Sequence, residues 1–264
     1  MFKLAANLSF MFQEVAFLER FRAAATVGFQ GVEYLFPYEY TAKQLHTLLE
    51  DFNLQQALFN LYPGEWSQGE RGLAALPNRE DEFKSSVEQA LEYASHLKCS
   101  KLHVMSGLKL DQVSTELQLE TYMKNLLWAA DQAKNHNVTL LIEPINPFDM
   151  PGYFLSDFAQ AKSILEDINH PNLAMQFDIY HCQRLQGNIV STLIDYLPLI
   201  GHIQIANPPG RHEPGKGELN FDFILNWLST QYDGWVGCEY TPSAVTTDCL
   251  SWAEPYLENY PANH

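Results

Sequence analysis

Four oxygen-bearing side chains in the second half of this chain sit at or near the ends of short strand-like runs. Glu143 closes Leu140-Leu141-Ile142-Glu143 and Asp178 closes Ala174-Met175-Gln176-Phe177-Asp178. Gln204 lies in His202-Ile203-Gln204-Ile205, and Glu239 closes Val236-Gly237-Cys238-Glu239. Their separations are 35, 26 and 35 residues, intervals that each hold a strand, a helix and two loops. Three carboxylates and one amide drawn together repel one another unless a cation sits among them, and burying them unpaired is costly. Oxygen-only ligands suit a hard divalent ion, so Mg²⁺ or Mn²⁺ is the expected cofactor, held by Glu143, Asp178, Gln204 and Glu239.

Such convergence needs a fold that brings many strand ends to one place. Strand-like runs recur at Lys3–Asn7, Gly31–Phe36, Gln55–Leu61, Lys101–Met105, Thr139–Glu143, Leu173–Asp178, His202–Ala206 and Trp235–Tyr240. Amphipathic stretches lie between them. Val15, Leu18, Phe21 and Ala25 share one helical face. Thr41-Ala42-Lys43-Gln44 reads as a capping box, Asn78 as the cap of a long helix, and Ser156 as the cap of a helix over 157–168. A further helix is expected over 119–135. Eight strand–helix alternations without a Gly-rich dinucleotide turn predict the α/β class, a single (β/α)8 TIM barrel filling residues 1–264 as one domain. In such barrels polar residues at strand C-terminal ends read as catalytic.

Composition narrows the function classes. A net charge of −16 opposes nucleic acid and anionic membrane surfaces as partners. It leaves a small anionic substrate open, because a local pocket can be positive on an acidic protein. No apolar run is long enough to span a membrane, and the first residues read as a strand rather than a signal peptide. Cys99, Cys182, Cys238 and Cys249 form no CxxC pair, which favours a reduced, cytoplasmic setting. A homo-oligomer is compatible with all of this.

Other residues are candidates for holding a substrate. His181 follows Asp178 by three residues, His103 ends the fourth strand, and Asn7, Glu33 and Asn60 lie at the ends of the first three. Two loops are longer than a helix connection needs, Tyr62 to Pro77 and Asn207 to Glu218, and both belong on the mouth where the four ligands converge. The second carries Arg211, whose guanidinium suits a carboxylate. Asp149 and Trp66 lie on mouth loops as well. There is no GxSxG elbow, Walker loop or HExxH pair, and Cys182 beside His181 makes a weak nucleophile pair because adjacent side chains diverge.

The motifs Ile142-Glu143-Pro144-Ile145-Asn146, Phe177-Asp178-Ile179-Tyr180-His181, His202-Ile203-Gln204-Ile205-Ala206 and Gly237-Cys238-Glu239-Tyr240 together resemble the hydroxypyruvate isomerase family. That family lies within the xylose-isomerase-like barrel superfamily. The resemblance runs from Asn7 to Glu239 and includes the loop Arg211-His212-Glu213-Pro214-Gly215. It implies Glu143, Asp178, Gln204 and Glu239 as metal ligands, with Glu143 and Glu239 also moving protons. It implies an isomerase for 2-oxo-3-hydroxy acids of the hydroxypyruvate or 2-oxo-tetronate type, working through an enediolate, with His181, Arg211, His103 and Asn7 toward the substrate. Related ketose 3-epimerases carry histidine at the third ligand, so Gln204 favours the isomerase branch. The alternative is a ketose 3-epimerase acting on an uncharged sugar. A barrel endonuclease would need a histidine-rich zinc site and a basic face, and a non-catalytic sugar-acid binder would not need both glutamates.

Overall fold

A computed structural model describes residues 1–258 and 260. Eight parallel strands close into a barrel in chain order, each pairing with its sequence neighbour and the first with the last. They are β1 Lys3–Asn7, β2 Gly31–Tyr34, β3 Gln55–Asn60, β4 Lys101–His103, β5 Thr139–Ile142, β6 Leu173–Asp178, β7 Ile200–Ile205 and β8 Trp235–Cys238. Helices α1 Phe17–Thr26, α2 Ala42–Asp51, α3 Glu80–Leu97, α4 Thr115–Lys134, α5 Phe158–Ile168, α6 Ile179–Leu185, α7 Ile189–Tyr196 and α8 Phe221–Gln231 run between them. Among the described residues no helix is long and apolar enough to cross a membrane.

The period of two in a strand divides its residues between two environments. Val32, Phe59, Leu102, Leu140, Ile142, Met175, Phe177, Ile203, Ile205, Val236 and Cys238 enter the hydrophobic core. The residues alternating with them are polar near the C-terminal mouth and still buried, among them Asn7, Glu33, Asn60, His103, Gln176, Asp178, His202 and Gln204. Apolar packing on one side of each strand therefore holds a polar interior on the other.

Several strands stop earlier than the apolar runs suggest, because the backbone leaves the ladder as it enters the mouth. Glu143 and Glu239 lie one residue beyond β5 and β8. After β2, the Leu35 amide donates to Ser9 Oγ at 2.9 Å instead of to a strand. Helix starts differ in detail too. The Thr41–Gln44 capping box forms as expected. Asn78 does not cap α3: it takes a left-handed conformation with φ of 67°, and Arg79 precedes the helix. Asp157, rather than Ser156, caps α5, accepting from the Gln160 amide at 2.7 Å. A carboxylate at that position meets the free amides of the first turn with full charge. Val15 lies ahead of α1 and is 38% exposed, so it does not share the buried face of Phe21.

Candidate active site and metal centre

Each of the four acid or amide side chains arrives from a different strand. Glu143 follows β5, Asp178 ends β6, Gln204 lies inside β7 and Glu239 follows β8. All four are buried. Asp178 also caps α6, its Oδ1 accepting from the Tyr180 amide at 2.8 Å, which fixes the carboxylate where strand becomes helix. A cavity of about 140 Å³ opens beside them, lined by Glu143, Glu239, Gln176, His103, His181, Arg211 and Asp149. Its remaining wall is largely apolar: Phe10, Leu35, Trp66, Met105, Ile145 and Met150.

The acids are tied by hydrogen bonds. Gln176 Nε2 donates to Glu143 Oε2 at 3.0 Å and to Gln204 Oε1 at 2.7 Å. Gln204 Nε2 donates to Glu239 Oε2 at 2.7 Å, and Asn7 Nδ2 donates to the same oxygen at 2.9 Å. The Arg211 guanidinium bonds Glu239 Oε1 and lies 3.5 Å from Asp178 Oδ2 and 3.9 Å from Asp149 Oδ2. It is held between the Phe10 and Tyr180 rings, 5.0 and 4.9 Å from their centroids. The loop reaches this position through a reciprocal backbone pair between Asn207 and His212, a left-handed Arg211, and Glu213, which accepts from Ser243 Oγ at 2.6 Å.

Burial with like charges nearby raises the acids. The Glu143 carboxyl is pushed well above its ordinary range by burial, then by Glu239 and Asp178. Burial pushes Glu239 to about 8 even though Arg211 opposes the shift, and Asp178 to about 6 against the same guanidinium. Burial lowers His103 to about 3 and drives His181 well below its usual value, with Arg211 adding to the effect. Both imidazoles are therefore neutral. His181 Nδ1 faces Asn146 Nδ2 at 2.6 Å, so it accepts, and the ring proton lies on Nε2, which points at Asp178 Oδ2 and Glu143 Oε1 from 3.6 and 3.9 Å.

Glu143, Asp178 and His181 each offer a ligand atom, all within 4.8 Å of one another, so this buried group could hold a metal ion, His181 joining it only in the tautomer that leaves Nε2 without its proton. Glu143 Oε1 is buried and has no hydrogen-bond partner among the described residues, as suits an oxygen placed for a cation. Of the residues expected from sequence, His181 joins the tight group. Gln204 and Glu239 stand beside it, linked through Gln176 and Arg211. His103 Nδ1 lies 3.6 Å from Glu143 Oε2, and Asn7 is engaged by Glu33 and Glu239. Trp66 lines the cavity, over which the Arg71 guanidinium stacks at 3.9 Å.

Two interior residues were not marked out by the strand-end rule. Gln176 and His202 stand two positions before Asp178 and Gln204, so the same period of two puts them on the interior face one layer deeper. The period-two alternation would have found both; apolar runs alone did not. Glu33, a candidate at the end of the second strand-like run, is fully buried and surrounded by donors from β1 and β7.

The sequence model of the xylose isomerase-like TIM barrel family matches residues 21–257. A 2-oxo-tetronate isomerase from Cupriavidus necator is 49% identical over 97% of this chain and 98% of its own length. A hydroxypyruvate isomerase from Escherichia coli is 42% identical over 97% of this chain and all of its own. Among solved structures, a Brucella melitensis protein described as an AP endonuclease, family 2, is 45% identical, with a TM-score of 0.95 over 98% of this chain and all of that one.

Proposed function

This chain belongs to the xylose isomerase-like TIM barrel family, and on that premise we propose that it interconverts small 2-oxo-3-hydroxy acids with their aldehyde or 3-oxo isomers. That it is an isomerase follows from relatives of that name across nearly its whole length. The observation that carries the finer reading is the pair Glu143 and Glu239: buried carboxyls from β5 and β8, both raised in pKa, lining one small cavity with a guanidinium beside them.

In this reading one glutamate removes the C3 proton of the 2-oxo-3-hydroxy acid, leaving a planar enediolate. The other glutamate delivers a proton to C2, and the C3 hydroxyl proton passes to the C2 oxygen, so that C3 becomes the carbonyl and C2 the hydroxyl-bearing carbon. A carboxyl raised toward neutral pH suits both halves, since it is basic enough to take a proton and acidic enough to return one. Glu143, Asp178, Gln204 and Glu239 would hold a divalent ion, Mg²⁺ or Mn²⁺. Such an ion, when bound, supplies positive charge to the developing enediolate. Neutral His181 presents Nε2–H to the same oxygens, Asn7 steadies Glu239, and His103 borders the cavity. Arg211 pairs with the substrate carboxylate. Trp66 and the apolar wall limit the water that reaches the reacting atoms, and a cavity of about 140 Å³ suits a small substrate. Buried free thiols at all four cysteines suit a reducing cytoplasm.

One observation favours the ketose 3-epimerase alternative: Arg211 is already engaged by Glu239 and Asp178, so an uncharged sugar would not need it. An endonuclease, the description carried by one relative, is opposed by the net charge of −16. A panel of three- and four-carbon 2-oxo acids and neutral ketoses, assayed with and without EDTA in deuterated water, decides among these. Turnover of an acid with deuterium entering at C2 or C3 is the expected result. Turnover of neutral ketoses alone moves the assignment to the epimerase.

A further inference from the structure

We propose that Glu33 is the positioning residue of this site: from behind Glu239 it sets which way the Gln204 amide faces and locks the Asn7 amide in place. Glu33 lies on β2 with its carboxylate fully buried. Oε1 accepts from Gln204 Nε2 at 2.8 Å and from Asn7 Nδ2 at 3.0 Å, while Oε2 faces His202 Nε2 at 2.8 Å. A carboxylate only accepts, so the end of Gln204 that meets it must be the nitrogen. Gln204 Oε1 is thereby turned the other way, toward Gln176 Nε2 and the Glu143 side of the cavity.

The shape of a glutamine amide hardly distinguishes its two ends, so a partner must. Glu239 also accepts from Gln204 Nε2, but it lines the cavity and is open to other partners there. Glu33 lies outside that lining, with both oxygens engaged by Asn7, Gln204 and His202, and it holds the oxygen of Gln204 toward the centre. An independent feature shows the carboxylate is built in. A Cβ at Gly237 on β8 would collide with both carboxylate oxygens of Glu33. Gly237 has no left-handed φ to explain it, so the glycine is there for space.

The effect on turnover rests on the isomerase reading; the effect on the amide does not. Glu33→Met keeps the bulk and removes every acceptor. Its kcat falls and its Mn²⁺ dissociation constant rises, each roughly 10–100-fold, with KM moving less than about threefold, as for partners that orient metal ligands. Glu33→Gln keeps an oxygen for Asn7 and Gln204 while His202 can change tautomer, so its losses are smaller by about tenfold. If Glu33→Met does not fold, Gly237→Ala displaces the same carboxylate and gives the same pattern. In metal-free protein, hydrogen exchange of the Gln204 side-chain amide, followed by NMR, is slow in the wild type and accelerates when Glu33 is removed or displaced. Wild-type exchange in those variants overturns the proposal, as does faster exchange with unchanged kcat and Mn²⁺ affinity. A wild-type protein that neither binds Mn²⁺ nor turns over acids overturns the isomerase reading instead, and the amide exchange still decides what Glu33 holds.

Discussion

Glu143 and Glu239 are isolated from water by the very packing that raises their pKa, and that combination makes them testable one at a time. Glu143→Gln and Glu239→Gln preserve size and an oxygen while removing the base. Each is expected to lower kcat by at least about 10²-fold, the usual scale for a general acid–base group. Normal turnover in both variants removes the two-glutamate mechanism. Arg211 answers a different question. A charge-assisted hydrogen bond is worth about 1.5–3 kcal/mol, so Arg211→Ala should raise KM for a 2-oxo acid roughly 10–100-fold. A neutral ketose should be nearly indifferent to the change. Because Arg211 also bonds Glu239 and approaches Asp178, its loss leaves two buried acids without their cation, and steady-state kinetics on both substrate types separates the two effects.

At the scale of the element, strands deliver the chemistry and helix caps secure it. Thr41 and Asp157 each hold the first turn of a helix, and neither lines the cavity. Thr41→Ala and Asp157→Ala should each lower unfolding free energy by about 0.5–2 kcal/mol in denaturant titrations, with kcat unaltered. Ser156→Ala should stay within about 0.5 kcal/mol, since Asp157 carries the cap. An equal loss at Ser156 would show that the cap is shared. The loop that carries Arg211 is secured differently, by Glu213 bridging to Ser243 beyond β8, so the guanidinium is placed by the chain on both sides of β8.

The whole molecule sets the electrostatics. A barrel interior that gathers Glu143, Asp178 and Glu239 on a chain of net charge −16 is under strain whenever those acids are ionised. The folded values of about 6 for Asp178 and about 8 for Glu239 exceed that of an unfolded carboxylate, near 4. The folded state therefore binds more protons across that interval. This stability is fully present below about pH 4 and is lost as pH rises through 6 and 8. Metal-free protein should accordingly show a Tm that falls between pH 5 and pH 8. Mn²⁺ needs deprotonated ligands, so the Tm rise it produces should be larger at pH 8 than at pH 5. Calorimetry with EDTA or with Mn²⁺ checks both slopes. A metal-free Tm that rises over that range would mean the acids are paired by cations throughout.

The barrel was legible in the sequence because its determinants are local. Apolar runs of strand length, spaced by amphipathic stretches, repeat eight times, and backbone hydrogen bonding leaves such a pattern few other closed arrangements. Glu143, Asp178 and Glu239 stood out for the same reason, as charges at the ends of apolar strands. What needed tertiary structure was everything decided between strands. Arg211 meets Glu239 and Asp178 only because its loop is tied across β8, and His181 joins the acid group only because Asn146, from the β5 loop, turns its ring. Glu33 reads locally as one more strand-end acid. Its burial against Gly237, 204 residues away in sequence, is set by closure of the barrel, which brings β2 and β8 to either side of β1. Local sequence specifies which groups each strand carries inward, whereas their mutual distances, and hence their pKa values and partners, exist only once the barrel has closed.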